Sequence, residues 1–389
     1  MTFESSGAGS IGTAGERGIP AHRLEFDTTG KGWLIGMHIS NVFLSVVTLM
    51  IYRFWAITNV RLALWPRMRF NGSPFEYTGT GIEIFIGFLK VFFLILLPYS
   101  FFAEWALDTV VVKWALFGTS SLNLIELVRL ILGVYIPLIC FYSIGSYLAF
   151  RYRVNRTQWR GIRGSVNGSP IRYAGKAIIA YTCTALSLGL AKPWADINLL
   201  GYKLQNASFG QRALGFRVST NGLWKPYLTF WFSIPAYVIV TFALAYILDD
   251  NLITQTQHVN GNSISVKYSA KSQDPLVVIL SMLLILVPFL LYMNYRARFW
   301  QNIASNTQFG AAKPVFNAEA PEFFKLVLVN YLITILSLGL LLPLTWLRKG
   351  EFMARHLVIV GELAEERLVQ AEFDEQSTGE GLLGDFDIA

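Results

Sequence analysis

Reactive side chains are scarce in this chain. There are two cysteines and four histidines among 389 residues. Cys140 and Cys183 lie inside apolar runs, which points to packing and away from a disulfide or metal role. His22, His38, His258 and His356 fall at no metal-ligand spacing. No Walker loop, G-x-S-x-G, H-E-x-x-H or cysteine cluster is present. The expectation is a protein that is not an enzyme and carries no cofactor. Charge is scarce too, at 15% of residues against about 25% in soluble domains. Acids within the apolar runs are rare, which argues against a proton-relay pump.

Apolar residues are abundant, at 53% of the chain. Seven apolar segments stand out, at about 33–55, 82–103, 130–150, 177–195, 227–248, 276–295 and 323–346. Several approach the roughly 20 residues that cross a bilayer as a helix. Most joining regions are rich in Arg and Lys. The loops 104–129 and 249–275 carry Glu104, Asp108, Glu126, Asp249, Asp250 and Asp274. The positive-inside rule puts these two outside and the other joining regions, with both termini, in the cytoplasm. The first 32 residues lack an apolar signal region, so a retained cytosolic tail is expected.

That assignment leaves segments 1, 4 and 7 with cytoplasmic flanks on both sides. The same three segments align with one another. Thr48, Ser187 and Ser337 share a column, Gly189 matches Gly339, and Pro193 matches Pro343. Glycine and then proline in an apolar run mark a break, so Gly189, Pro193, Gly339 and Pro343 are candidate hinge or break residues. Copies that enter and return satisfy the parity, since two crossings lie between consecutive copies. The first copy has neither the glycine nor the proline.

Between these segments run short cassettes. "NGSPFEYTG" (71–79) and "NGSPIRYAG" (167–175) are identical at six of nine positions. Both are expected to form β-hairpins turning at Asn-Gly. The fold class that follows is an α-helical multi-pass membrane protein with short cytoplasmic β-hairpin cassettes and about two and a half internal repeats. It has four spanning helices plus three re-entrant or broken segments, or alternatively seven spanning helices. A single membrane domain is expected over 23–365, in repeats of about 23–164, 165–313 and 314–365. A disordered tail is expected over 1–22 and an acidic one over 366–389.

Within the aligned segments, Asn41, Ser45 and Thr48 recur as Asn330, Thr334 and Ser337, with Thr184 and Ser187 in the middle copy. The spacing puts each set on one helical face. Such a stripe lines a polar path for a small solute or ion, or lets helices pack closely. Arg151, Arg153, Arg156, Arg160 and Arg163 form a basic cluster suited to anionic lipid headgroups or to simple inside anchoring. Nothing beyond basic patches suggests nucleic acid.

The recurring "G..F.Y.G.G" cassette, the "SLGL..PW" segment and "NRTQWRGIRG" (155–164) together resemble the YjgN-like family of bacterial inner-membrane proteins, over about residues 22–365. The resemblance implies a multi-pass protein of the bacterial inner membrane and brings no catalytic residues. The functional expectation is a transporter or channel component. The alternative is a membrane scaffold or lipid-binding protein that docks partners through its cassettes.

Overall fold

The computed structural model describes residues 20–101, 103–104, 125, 128, 131–248, 253–260, 263–270 and 275–362. The chain divides into two compact units, residues 1–219 with 303–317 and 326–389, and residues 220–302 with 318–325.

The first unit is organised by its strands. They are β1 (Ala21–Phe26), β2 (Met68–Phe70), β3 (Ser73–Tyr77), β4 (Thr157–Trp159), β5 (Ile162–Val166), β6 (Ala207–Phe209), β7 (Arg212–Ala213) and β8 (Gly215–Phe216). After the second unit's β9 (Ile253–Asn260) and β10 (Ser263–Ala270) come β11 (Thr307–Gln308), β12 (Lys313–Phe316) and β13 (Leu357–Val360). Nine of them form one curled antiparallel sheet in the order β12-β13-β1-β2-β3-β4-β5-β6-β7. Its two ends approach one another. Beyond Leu214, β8 continues β7 and pairs with β11, and Phe309 then bridges Ala312 at the foot of β12. One isolated bridge thus links the ends of a curled half-barrel, and β7 and β12 remain the terminal strands of the nine-stranded sheet.

Side chains alternate along the strands, with Val358, 3% exposed opposite the exposed Arg23, as an exception. Phe70, Tyr77, Trp159, Val166, Phe216 and Phe316 are buried, while Arg23, Glu25, Arg69, Glu76 and Lys313 on intervening positions are exposed. One face is therefore apolar and the other charged, as period-2 patterning requires.

Each strand that leaves the ring is tied to its neighbour in the same way. The residue just past it donates its backbone N–H to the carbonyl just before the next entering strand. The five bonds are Asp27 to Arg67 (2.9 Å), Thr78 to Arg156 (2.8 Å), Asn167 to Asn206 (3.1 Å), Arg217 to Asn306 (2.9 Å) and Asn317 to His356 (3.1 Å). Three of the intervening excursions are short helical hairpins. They are α1 (Lys31–Val47) with α2 (Arg53–Leu64), α5 (Pro170–Leu186) with α6 (Lys192–Gln205), and α10 (Ala320–Leu336) with α11 (Leu342–His356). The other two are long. One starts with α3 (Gly81–Val91) and ends with α4 (Ile136–Asn155); the other holds α7 (Trp224–Leu248), α8 (Pro275–Leu284) and α9 (Leu286–Asn306).

In the second unit β9 and β10 pair antiparallel over their whole length. Tyr227 on α7 meets Tyr295 on α9 edge to face at 5.0 Å.

The expected fold class is corrected here. The hairpins are not separate cassettes beside a helical multi-pass domain; they are one nine-stranded sheet. Strands of two to six residues bury too little alone, and pairing side by side satisfies their edges. Nor do the described residues hold four spans or seven, and the three aligned segments expected to re-enter or break are helix–turn–helix excursions between strands. Among the described residues three helices are long and apolar enough to cross a membrane, Leu132–Asn155, Trp224–Tyr246 and Pro275–Asn306. The expected span at 82–103 runs partly outside the described residues, as do both tails and most of loop 104–129.

The second Asn-Gly is also corrected. Asn71 (φ 47°) and Gly72 (φ 73°) do turn the β2–β3 hairpin. Asn167 and Gly168 do not turn one; the β4–β5 turn is Arg160 (φ 50°) and Gly161 (φ 77°). Gly168 instead follows β5, where a Cβ would meet the Tyr147 hydroxyl and Asn206. Ser169 then caps α5 by accepting the Arg172 N–H, and Pro170 opens the helix. The true counterpart of that stretch is Gly79–Thr80, where Thr80 caps α3.

Candidate functional site

The three aligned segments carry most of the candidate residues, and each is built alike. A helix ends at a five-residue turn, Thr48–Tyr52, Ser187–Ala191 or Ser337–Leu341, and a second helix returns to the ring. Each first helix ends in a Schellman arrangement: Gly189 N–H reaches the Thr184 carbonyl and Leu188 N–H the Ala185 carbonyl. The first and third copies repeat both bonds at Met50, Leu49, Gly339 and Leu338. Two successive residues in each turn are left-handed: Leu49 and Met50, Leu188 and Gly189, Leu338 and Gly339. Pro193 and Pro343 are the second residues of the returning helices, where a missing N–H costs nothing.

The stripe hydroxyls bond locally. Ser45 donates to the Asn41 carbonyl (2.7 Å), Thr184 to Ala180 (2.7 Å) and Thr334 to Asn330 (2.8 Å). Thr48, Ser187 and Ser337 cap the turns, accepting the backbone N–H of Tyr52 (2.9 Å), Ala191 (2.9 Å) and Leu341 (3.1 Å). The two asparagines differ. Asn41 and Asn330 are buried, and each Oδ1 accepts from the returning helix, from Asn59 Nδ2 (3.2 Å) and Arg348 Nε (3.1 Å). Their Nδ2 groups are buried with no partner.

The first and third hairpins meet. His38 Nε2 lies 3.2 Å from the Gly339 carbonyl, and its ring meets Trp346 edge to face. The second hairpin packs on α4, where Tyr147 faces Tyr173 at 5.2 Å and Tyr202 at 5.7 Å.

The basic cluster is largely engaged in the fold. Arg156 pairs with Glu83 at 3.0 Å, and the Tyr152 hydroxyl donates to the other Glu83 oxygen at 2.6 Å. Arg160 lies over the Trp159 ring at 4.4 Å and donates to Ser73. Arg163 reaches Gln158 at 3.5 Å. Arg151 and Arg153 sit in the last turns of α4.

Sequence reading missed Arg61 and Glu83. Arg61 is 1% exposed, donates to the Tyr77 hydroxyl at 2.9 Å and lies over that ring. Glu83 was findable, since Thr80-x-x-Glu83 has capping-box spacing. Cys183 is exposed, against the expectation of burial; it lies on the outer side of α5.

These features define a class: a chain with a curled antiparallel sheet and, among the described residues, three helices long and apolar enough to cross a membrane. Residues 21–385 match the family described as "Bacterial protein of unknown function (DUF898)", and the chain belongs to that family. It is similar to the inner membrane protein YjgN of Escherichia coli (strain K12), with 33% identity over 88 residues, 22% of each chain. The YjgN protein of Salmonella typhimurium (strain LT2) is 33% identical over 79 residues, 20% of each chain. The aligned part is thus about a fifth of the curated relatives' length. No solved structure matches.

Proposed function

We propose that this is a multi-pass inner-membrane scaffold whose β-ring stands in the cytoplasm and presents its charged face to a protein partner. The name of the relatives and the three candidate spans support the membrane. The Arg and Lys content of the regions around the strands supports a cytoplasmic ring and cytoplasmic termini. The observation that carries the reading is the curled nine-stranded sheet, with exposed Arg23, Glu25, Arg69 and Glu76 on one face. That face carries both signs of charge, which a partner would read through side chains.

One observation favours the second reading, a conduit for a small polar solute or ion. The unpartnered Nδ2 groups of Asn41 and Asn330 are donors of the kind that a passing solute would use. The test compares proteoliposome flux of potassium, chloride and glycerol for the native chain and for Asn41→Leu with Asn330→Leu. The scaffold reading expects equal flux; a reproducible loss of flux in the variant overturns it. Maleimide labelling of Arg69→Cys tests the side, with labelling expected in inverted vesicles and not in right-side-out ones.

A further inference from the structure

Leucine occupies the same unfavourable place in all three helical turns. Leu49, Leu188 and Leu338 have φ of 50°, 51° and 49°. This is the position after a helix where glycine is usual, because the left-handed conformation crowds a Cβ. A bulky side chain there needs a reason, and packing inside the protein is not one. The three leucines are 87%, 78% and 92% exposed. Leu186, Leu336, Met50 and Ile51 beside them are exposed as well.

The N–H groups of these turns need no water. Six successive N–H groups in each copy, Thr48–Arg53, Ser187–Lys192 and Ser337–Leu342, all have an acceptor in the turn or in the last turn of the helix before it. The hydroxyl at the head of each turn takes the fifth of them, which the carbonyls leave over. In copies two and three the next donor is removed by Pro193 and Pro343. Satisfying every N–H internally removes the donor half of the cost of placing turn backbone in hydrocarbon. Lys192, just past the second turn, is paired with Asp196 at 3.1 Å.

The second turn is also placed beside a span. Tyr173 of α5 packs on Tyr147 of α4, and the two helices run in opposite directions from adjacent strands. Leu188 lies roughly 22 Å beyond Tyr173 at 1.5 Å per residue, and Leu132 is as far back from Tyr147. The turn is thus carried along the apolar length of the candidate span Leu132–Asn155.

We propose that the three leucine-tipped turns are lipid-contacting tips, whose partner is the acyl layer of the bilayer. This does not depend on what the outer face of the ring meets, and it holds equally for a scaffold and for a conduit. The test uses the full chain with Cys140→Ser and Cys183→Ser, carrying Leu49→Cys, Leu188→Cys or Leu338→Cys singly. Each is labelled with a polarity-sensitive fluorophore and reconstituted in vesicles of phosphatidylethanolamine and phosphatidylglycerol. Arg69→Cys on the ring is the reference. At all three tips the expected result is blue-shifted emission, lost mostly to spin-labelled lipid and little to aqueous iodide. At Arg69→Cys the order is reversed. A tip quenched by iodide as strongly as the reference overturns the proposal. So does a tip shielded from both quenchers, which would mean that protein covers it. Should a tip variant fail to elute as folded protein, Leu186→Cys, Leu336→Cys and Ile51→Cys report on the same turns.

Discussion

Met50 and Gly189 hold the same place in the first and second helical turns, Met50 at φ 69° and Gly189 at φ 93°. The N–H of each reaches back to the carbonyl five residues earlier, Ser45 for Met50 and Thr184 for Gly189. One geometry is therefore made with and without glycine. A left-handed residue with a Cβ costs about 1–2 kcal/mol relative to glycine. Met50→Gly should accordingly stabilise the protein by about 1 kcal/mol, net of the freedom that glycine adds to the unfolded chain. The check is the thermal midpoint of the detergent-solubilised chain, which should rise. Gly189→Ala should lower it.

Two glycines of the second hairpin should respond with opposite signs. Gly168 faces the Tyr147 hydroxyl and Asn206, with no room for a Cβ. Gly175 lies within α5, with nothing within 4 Å of its Cβ position. Overpacking costs about 1–3 kcal/mol, so Gly168→Ala should destabilise by that amount. Gly175→Ala should stabilise by about 0.5–1 kcal/mol through helix propensity. Equal midpoints for the two variants would contradict the close approach at Gly168.

Tyr77 ends strand β3 and supplies a hydroxyl to Arg61, a side chain that is 1% exposed. A hydrogen bond to a charged group is worth about 1.5–3 kcal/mol when it is buried. Tyr77→Phe keeps the ring and its packing while removing the acceptor. It should destabilise by about that much, read by chemical denaturation in detergent. Tyr331→Phe, at an exposed tyrosine, should be neutral within about 0.5 kcal/mol.

How much of this was legible beforehand differs from element to element. Asn71-Gly72 announced its hairpin because the turn chemistry is local. Asn167-Gly168 carries the same letters and does something else, since its neighbours Ser169 and Pro170 form a helix start. Arg160-Gly161 makes the turn with a residue that carries little turn signal. The ring was not legible at all. Ala21 pairs with Val360 and Thr307 with Phe216, contacts set by chain closure over hundreds and tens of residues. Short strands of two to six residues give too few alternations to reveal partners. The polar stripe was visible as a pattern, yet its hydroxyls face carbonyls of their own helices, a geometry that spacing alone cannot separate from a lining. Glu83 and Arg156 meet across 73 residues, and no local feature links them.

That pair carries the last prediction. Glu83 opens α3 and holds both Arg156 and the Tyr152 hydroxyl, with side chains 26% and 12% exposed for the acid and the arginine. Both charges are largely but not fully withdrawn from water, so the pair lies between an exposed ion pair, worth about 0–1 kcal/mol, and a buried one, where losing a partner costs about 3–5 kcal/mol. Glu83→Gln should therefore destabilise by about 1–3 kcal/mol. Much of that would come from leaving Arg156 without its carboxylate, so Arg156→Met in the Glu83→Gln background should recover part of the loss. A double-mutant cycle measures this directly, and a coupling energy near zero would mean that the contact is incidental. Partial burial also limits screening, so raising salt from low to near-molar should weaken the coupling less than it weakens the exposed pair Lys192–Asp196. The joint ties the first helix of one excursion to the last, next to the Thr78 to Arg156 bond that closes that segment of the ring. Its loss should thus appear first as faster hydrogen exchange at Thr78 and Arg156, before the global midpoint moves.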